Sequence, residues 1–441
     1  MTAWTFHPEL LSTPVPRYTS YPTAAEFSDA VGSAQLEAAL AGLEPGEPVS
    51  LYVHIPYCHE ICWYCGCNTG AANKTHRLSS YLDALHEEID LVAARIGGRT
   101  RVRRISFGGG SPNAIAPEEF ARLLARLRGA FNAANALVSI ELDPRSLTPD
   151  WFEAIGAAGI SRASLGVQTL DPKVQRGIGR IQPERLIRTA VEELRRAGVR
   201  SLNFDLMYGL PYQGLDELEE TLDTAIEMLP ERIALFGYAH VPHLIARQRR
   251  IDGGALPDPA LRFSQAELGH RKLTLAGYEA VGFDHYARPH DPLALAARQG
   301  RLRRNFQGFT DDDSEVLIGL GASAISQFPD LIVQNEKKAG AYRDRIESGE
   351  LAGAHGIERD GGDRQRGWLI ERLLCDGEAE IRDHADPGLM AMLQPFLARG
   401  LATVERGRLR LPDYGRPYAR VMASLFDGYR HPEGRRFSSA I

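Results

Sequence analysis

Lysine is almost missing from this chain: of 51 basic residues five are lysines and the rest are arginines. Genomic base composition gives such a bias, and guanidinium forks also suit carboxylate-bearing ligands; composition alone does not separate the two. A basic excess is lacking too, and the formal charge of −6 speaks against a nucleic-acid surface. No run approaches the roughly 18 apolar residues a membrane helix needs. Residues 1–23 show no basic head followed by an apolar stretch, so no signal peptide is expected. These absences lead to the expectation of a cytoplasmic protein that binds neither nucleic acid nor membrane; a monomer is expected as well, though none of them bears on oligomeric state. Cysteine is scarce as well, five in 441 residues. A disulfide framework would scatter its cysteines through a short secreted chain. Here four lie within ten residues, Cys58, Cys62, Cys65 and Cys67, a distribution that signals metal or redox chemistry.

What is present is an alternation of short β-rich runs and amphipathic helical runs. Strands are expected at 50–57, 103–108, 137–142, 163–167, 201–207 and 233–238, each short and apolar or β-branched, as buried parallel strands are. Helices are expected at 79–96, 117–131, 149–158, 183–197, 215–229 and 262–276. Several open on Pro or an acidic residue and close near Gly, as capping chemistry requires. Six βα units imply an α/β fold with a parallel sheet, either an open doubly wound sheet or a partial TIM-like (β/α)6 barrel; pattern alone leaves the two undecided, and with the resemblance given below the partial barrel is the expectation. The unusual residues gather at the carboxyl ends of these strands, where such folds place their chemistry. Residues 1–45 are expected as an N-terminal arm, 46–350 as the catalytic domain with its core at about 46–280, and 351–441 as a small, mostly helical C-terminal domain with a hairpin near 401–411.

The cysteine loop reads Cys58-His-Glu-Ile-Cys62-Trp-Tyr-Cys65-Gly-Cys67 straight after the first strand. Three thiolates at this spacing suit three irons of one cubane, with the fourth iron left open to a ligand. A structural zinc site is the alternative. It ordinarily pairs two distant knuckles, however, and Cys67 is badly placed to complete a tetrahedron. Cys375, in a helical context, reads as packing.

CxxxCxxC with an aromatic-flanked loop, and Gly108-Gly-Gly-Ser-Pro112 after the second strand, resemble the radical S-adenosylmethionine superfamily. Further blocks narrow the likeness: 16–23 (PRYTSYPT), Cys67, 166–168 (GVQ), Asp205 with 208–211 (YGLP), 238–242 (YAHVP), 284–289 (DHYARP), 305–310 (NFQGFT), 323–326 (SAIS) and 437–441. Together they resemble oxygen-independent coproporphyrinogen III oxidase. Ser111 stands where that family usually has threonine, with the hydroxyl kept.

That resemblance implies a 4Fe–4S cluster on Cys58, Cys62 and Cys65, with Cys67 a family mark and no ligand. It implies two molecules of S-adenosylmethionine, one near Tyr52, Gly109, Glu141, Ala239 and Ile325, the other near Tyr64, Gly110, Ser111, Gln168, Arg180 and Asp205. Phe306 and Gln307 match residues near the substrate space. The implied reaction is oxidative decarboxylation of two propionates of a porphyrinogen, served by a reductant protein. Arg17, Arg180 and Arg288 are candidates, on charge alone, for neutralising substrate carboxylates. Two alternatives stand beside it: a haem chaperone of the same superfamily, which would lack the Cys-Gly-Cys run and the 16–23 arm, and a zinc-stapled module without catalysis.

Overall fold

The structure, a computed structural model, describes residues 3–72 and 75–430; the 437–441 block lies outside them. Six parallel strands form its centre: β1 (Pro48–Ile55), β2 (Arg101–Gly109), β3 (Leu137–Leu142), β4 (Arg162–Gln168), β5 (Ser201–Tyr208) and β6 (Arg232–Gly237). Each is followed by a helix, α1 (Thr75–Ile96), α2 (Pro117–Ala130), α3 (Pro149–Ala158), α4 (Glu184–Arg196), α5 (Leu215–Glu227) and α6 (Pro259–Leu275). Helix ends follow local chemistry: Pro sits in the first turn of α2, α3 and α6, Asp258 caps α6 through the Leu261 N–H, and Gly159 closes α3 at φ 67°.

The sheet is wider than the six βα units. Six further strands join it: β7 (Glu279–Val281), β8 (His285–Ala287), β9 (Val316–Leu320), β10 (Ile325–Gln327), β11 (Leu331–Asn335) and β12 (Gly353–Glu358). The order is β12-β11-β10-β9-β1-β2-β3-β4-β5-β6-β8-β7. β9 pairs parallel to β1, and the remaining additions are antiparallel. The sheet therefore stays open at both edges, as a partial barrel does. It also runs through residue 350, where the sequence divides catalytic from C-terminal regions.

Period-two alternation sorts each strand. On β5 Leu202, Phe204 and Leu206 are fully buried against the helices, while Asn203 and Asp205 face the lumen. On β4 Leu165 and Val167 are buried outward, and Arg162 and Ser164 line the lumen. The inner face is thus polar, unlike the apolar interior of an ordinary TIM barrel. One end is plugged. Asp311 accepts from Arg104 of β2 (3.0 Å) and Arg162 of β4 (2.8 Å) and lies 3.7 Å from Arg232 of β6. Strands sit roughly 4.8 Å apart, so one carboxylate meeting arginines from β2, β4 and β6 reflects a sheet curled around it. The plug sits at the amino ends of the strands and leaves the carboxyl ends open.

A second core joins the arm to the C-terminal region. Val15, Tyr18 and Tyr21 pack with Leu369, Leu373, Phe396 and Met422. Tyr18 donates to Asp427 at 3.0 Å, and Tyr21 accepts from the Gly428 N–H at 2.9 Å. Besides helices, including α7 (Gly361–Asp376), this region holds a three-stranded sheet of 378–380, 408–410 and 403–405.

Candidate active site

The cysteine loop leaves β1 at the open mouth. Cys62 is buried, whereas Cys58 and Cys65 are half-buried and Cys67 is exposed. The loop is seated by its neighbours. The Trp63 N–H donates to Ile178 O at 3.0 Å, and the indole lies where a Cβ on Gly179 would fall 2.6 Å from it. Gln248 donates to Tyr64 O (2.9 Å) and to Ala239 O (3.1 Å), which ties the loop to the end of β6. Two guanidiniums converge on Cys62 Sγ, Arg180 at 3.2 Å and Arg145 at 3.3 Å. Asp143 holds both, at 3.2 Å from Arg180 and 2.6 Å from Arg145.

The thiols differ in acidity. Burial, with repulsion from Cys65 and Asp143, pushes Cys58 up to about 12. Hydrogen bonding from Cys67 brings Cys65 down to about 6 against its burial. Among the described residues, no three His, Cys, Asp or Glu side chains gather as a ready-made single-ion site. A zinc ion would need four ligands within about 2.3 Å of one point. A cubane takes each thiolate on a different iron, and three soft donors on one loop, steadied by N–H groups and cations, fit that group.

The glycine run wraps close beneath the loop. A Cβ on Gly108 would fall 2.7 Å from Glu141 Oε2 and 2.9 Å from the Tyr52 hydroxyl. Gly109, at φ 115°, lies against the His54 ring, and Gly110 against Tyr57 O. No side chain is accommodated at any of the three. Tyr52, Glu141 and Gly109 therefore meet at one spot: the Gly109 N–H donates to Glu141 at 3.2 Å, and Tyr52 bonds His54 Nδ1 at 3.1 Å. Ile325 begins β10, one residue beyond Ala324, which packs with Tyr52. Phe306 stands edge-on to Tyr52, with ring centroids 4.7 Å apart. It and the exposed Gln307 form the turn between strands 303–305 and 308–310.

Across the lumen, Asp205 accepts from Ser164 (3.0 Å) and Asn203 (2.8 Å). Gln168 sits at φ 66° on a break in the β4–β5 register, which turns its side chain beside Gly166 and Arg180. Burial, and then the Asp205 carboxylate, push Glu141 up to about 7. Burial raises Asp205 as well, in spite of its two hydrogen bonds. Both carboxylates line a polar space of about 310 Å³.

Not every expected side chain is available there. The Ser111 hydroxyl is buried and donates to Asn113 at 2.5 Å. Arg180 is 5% exposed and spends its donors on Cys62, Asp143, Gln182 and Gly166 O. Both brace the wall. Arg288 lies elsewhere, stacked 4.1 Å over Tyr278 and bonded to Ala276 O. The sequence reading missed Asn113, which receives Ser111 and the Asp143 N–H and donates to Asp143 O and Ser146. It also missed Arg145 and Gln248. Asn113 had a signal, two residues after Ser111 in the same motif; the other two had none.

A cysteine loop at the mouth of a half-open parallel barrel defines a class. Residues 52–225 match the profile of the Radical SAM superfamily, and this segment is a radical SAM domain. Relatives narrow it over nearly the whole chain. An oxygen-independent coproporphyrinogen III oxidase of Bradyrhizobium diazoefficiens is 43% identical over 97% of each chain, and that of Escherichia coli K12 is 37% identical over 97% of this chain and 96% of its own. The solved coproporphyrinogen III oxidase from Escherichia coli, described as a radical SAM enzyme, superposes with a TM-score of 0.90 at 35% identity, covering 97% of this chain and all of that one. The chain belongs to the oxygen-independent coproporphyrinogen III oxidases.

Proposed function

We infer that this enzyme converts coproporphyrinogen III to protoporphyrinogen IX without molecular oxygen, in haem biosynthesis. The observation that carries the reading is the Cys58–Cys62–Cys65 loop, braced by Arg180 and Arg145 at the open mouth of a polar barrel, in a chain that aligns end to end with named oxidases. Each conversion turns a propionate into a vinyl group: one hydrogen atom leaves the β-carbon, CO₂ departs, and one electron passes to an acceptor outside this chain. The β-hydrogen is not acidic, so neither Glu141 nor Asp205 starts the reaction as a base. A 4Fe–4S cluster and S-adenosylmethionine, bound at the loop, supply the one-electron chemistry that removes it.

The residues of the chain bind, orient and shield. Cys58, Cys62 and Cys65 hold the cluster, while Arg145 and Arg180 set the charge around Cys62. Tyr52, Gly109, Glu141, Ala239 and Ile325 surround a first S-adenosylmethionine. Tyr64, Gly110, Gln168 and Asp205 face a second, with Ser111 and Arg180 bracing them. Two sulfonium cations suit the paired carboxylates: Glu141 and Asp205 are both raised by burial, and a cation beside each would keep it ionised. Phe306 and Gln307 close the mouth over the substrate. Arm residues 11–21 pack with residues 369–426 in a second core beside the catalytic part, which takes in β12 beyond the expected bound at 350. The enzyme acts as a monomer in the cytoplasm, reduced by a separate protein; no helix among the described residues is long and apolar enough to cross a membrane.

Anaerobic turnover of the reconstituted, reduced protein tests this. Protoporphyrinogen IX with two 5′-deoxyadenosines and two CO₂ per molecule is expected. Haem binding without either product would favour the chaperone reading instead.

A further inference from the structure

The chain carries a formal charge of −6, yet the surface around the cysteine loop is basic. Residues 246–250 read Ala-Arg-Gln-Arg-Arg and form one helical turn against that loop. Gln248 in its middle is buried and donates to Tyr64 O at 2.9 Å, while Arg249 and Arg250 stay exposed. The short helix Pro172–Gly177 adds the exposed Lys173 and Arg176. A small apolar core holds these pieces together. In it Val174 and Ile178 pack with Leu210, Tyr238 and Ile251, and Trp63 and Tyr64 of the loop lie against them.

Among the described residues, none of Lys173, Arg176, Arg247, Arg249 and Arg250 forms an ion pair with a carboxylate. Exposed arginines elsewhere, such as Arg188, Arg196 and Arg408, are paired with glutamates. The carboxylates nearest in the chain have other partners. Glu60 meets Arg145 at 2.9 Å, and Asp171 accepts from the Val174 N–H at 2.7 Å. Asp252 accepts from the Tyr212 hydroxyl at 3.0 Å and the Gly254 N–H at 2.9 Å. Lys173 sits instead 5.2 Å over the Tyr212 ring. Apolar side chains are exposed in the same segments, Leu244 at 67% and Ile181 at 55%. Like charges gathered in this way repel one another, and an acidic surface laid over them relieves the repulsion.

The patch is joined directly to the cysteines. Arg247 Nη2 donates to Cys67 O at 3.4 Å, and the Cys67 N–H donates to Cys65 Sγ at 3.4 Å. Two hydrogen bonds and one residue thus link this surface to the Cys65 sulfur. We propose that residues 244–250, with Lys173 and Arg176, are the docking surface for an acidic one-electron carrier protein of low potential. It rests on the reading above that a separate protein reduces the cluster. The carrier loses one electron and the cluster gains one, with no atom or proton transferred. Arg249 and Arg250 attract and hold the carrier, and Arg247 and Gln248 tie its footprint to the loop.

The test uses the full-length reconstituted holoenzyme and two probes, an acidic flavodoxin and an acidic ferredoxin. Photoreduced 5-deazariboflavin serves as a small neutral reductant. At least one carrier should bind, and should reduce the cluster more slowly as salt rises, whereas the neutral reductant should be indifferent to salt. Arg249→Glu combined with Arg250→Glu should weaken binding of that carrier, and slow reduction by it, by about tenfold at low ionic strength. Iron content and reduction by 5-deazariboflavin should stay at wild-type values. On the unmodified enzyme, phenylglyoxal labelling of Arg249 and Arg250, read by mass spectrometry, should fall when the carrier is added. Carrier binding within twofold of wild type in the double variant would overturn the proposal, as would an equal slowing with the neutral reductant. So would salt-independent reduction by both carriers, or labelling that both leave unchanged, which holds even if the variant fails to fold. Failure of the functional reading would show separately, as absence of protoporphyrinogen from the wild-type enzyme supplied with the neutral reductant.

Discussion

Arg180 donates to the sulfur of Cys62 at 3.2 Å from a position 118 residues further along the chain. The contact is fixed from behind, because the same guanidinium is gripped by Asp143 and by Gly166 O at 2.6 Å. A cation so held favours electron density on the sulfur beside it, and hydrogen bonds and charge at the sulfurs set cluster potentials.

Arg180→Gln should therefore leave a cluster that assembles but is harder to reduce. Losing one charge-assisted contact corresponds to a shift on the order of 60 mV downward. Redox titration of the reconstituted variant against wild type checks it; an unchanged or higher potential would remove Arg180 from this role.

The four clustered cysteines should separate cleanly. Cys58→Ala, Cys62→Ala and Cys65→Ala should each lose iron and sulfide after anaerobic reconstitution. Cys67→Ala should keep both, because Cys67 serves Cys65 through hydrogen bonding and lies on the exposed side of the loop. Loss of the cluster in Cys67→Ala alone would reverse the ligand assignment.

Glu141 carries a pH signature. Burial, then Asp205, raise its folded-state value to about 7, above the roughly 4.3 of an unfolded chain. The folded protein then binds that proton more tightly than the unfolded chain. This contribution to stability is full below about 4.3, falls as pH rises, and is gone above about 7, a loss of roughly 4 kcal/mol at most. Glu141→Gln, which can still accept from Gly109, should flatten the dependence between pH 4.5 and 7 in the ligand-free protein. It should also weaken S-adenosylmethionine binding at pH 8. Chemical denaturation across that range distinguishes the two proteins.

Most of the sheet was legible because its signals are local. The six parallel strands and their helices fall within a few residues of the expected ranges, since alternation, Pro at helix starts and Gly at helix ends act within a turn or two. The six added strands were missed. β7, β8 and β10 have three residues each, and β12 holds Gly353 and Gly356, so these four show no run to read; β9 (Val-Leu-Ile-Gly-Leu) and β11 (Leu-Ile-Val-Gln-Asn) do carry short apolar runs, and they were passed over. The polar lumen was missed as well, since Ser139, Ser164 and Asn203 had no apparent partners until the sheet curled. At the site, the cysteines and glycines were readable as motifs. The braces were not, because Arg145 meets Cys62 across 83 residues and Gln248 meets Tyr64 across 184.

Asn113 shows what those hidden partners contribute. It is 1% exposed and makes four hydrogen bonds linking the glycine loop to the end of β3. Asn113→Ala would leave the Ser111 hydroxyl and the Asp143 N–H short of partners, at about 1–3 kcal/mol for a buried group left unpaired. A loss of about 2–4 kcal/mol in unfolding free energy, with weaker S-adenosylmethionine binding, is expected from denaturant titration and ligand binding. Unchanged stability would show that the hub is dispensable.

The central claim is an iron left without a protein ligand beside Cys58, Cys62 and Cys65. Electron paramagnetic resonance of the reduced, reconstituted protein with and without S-adenosylmethionine tests it most directly. A 4Fe–4S signal whose g-values shift on adding S-adenosylmethionine, with about four irons per chain, is predicted. A signal indifferent to S-adenosylmethionine, or one zinc in place of the irons, would contradict the account.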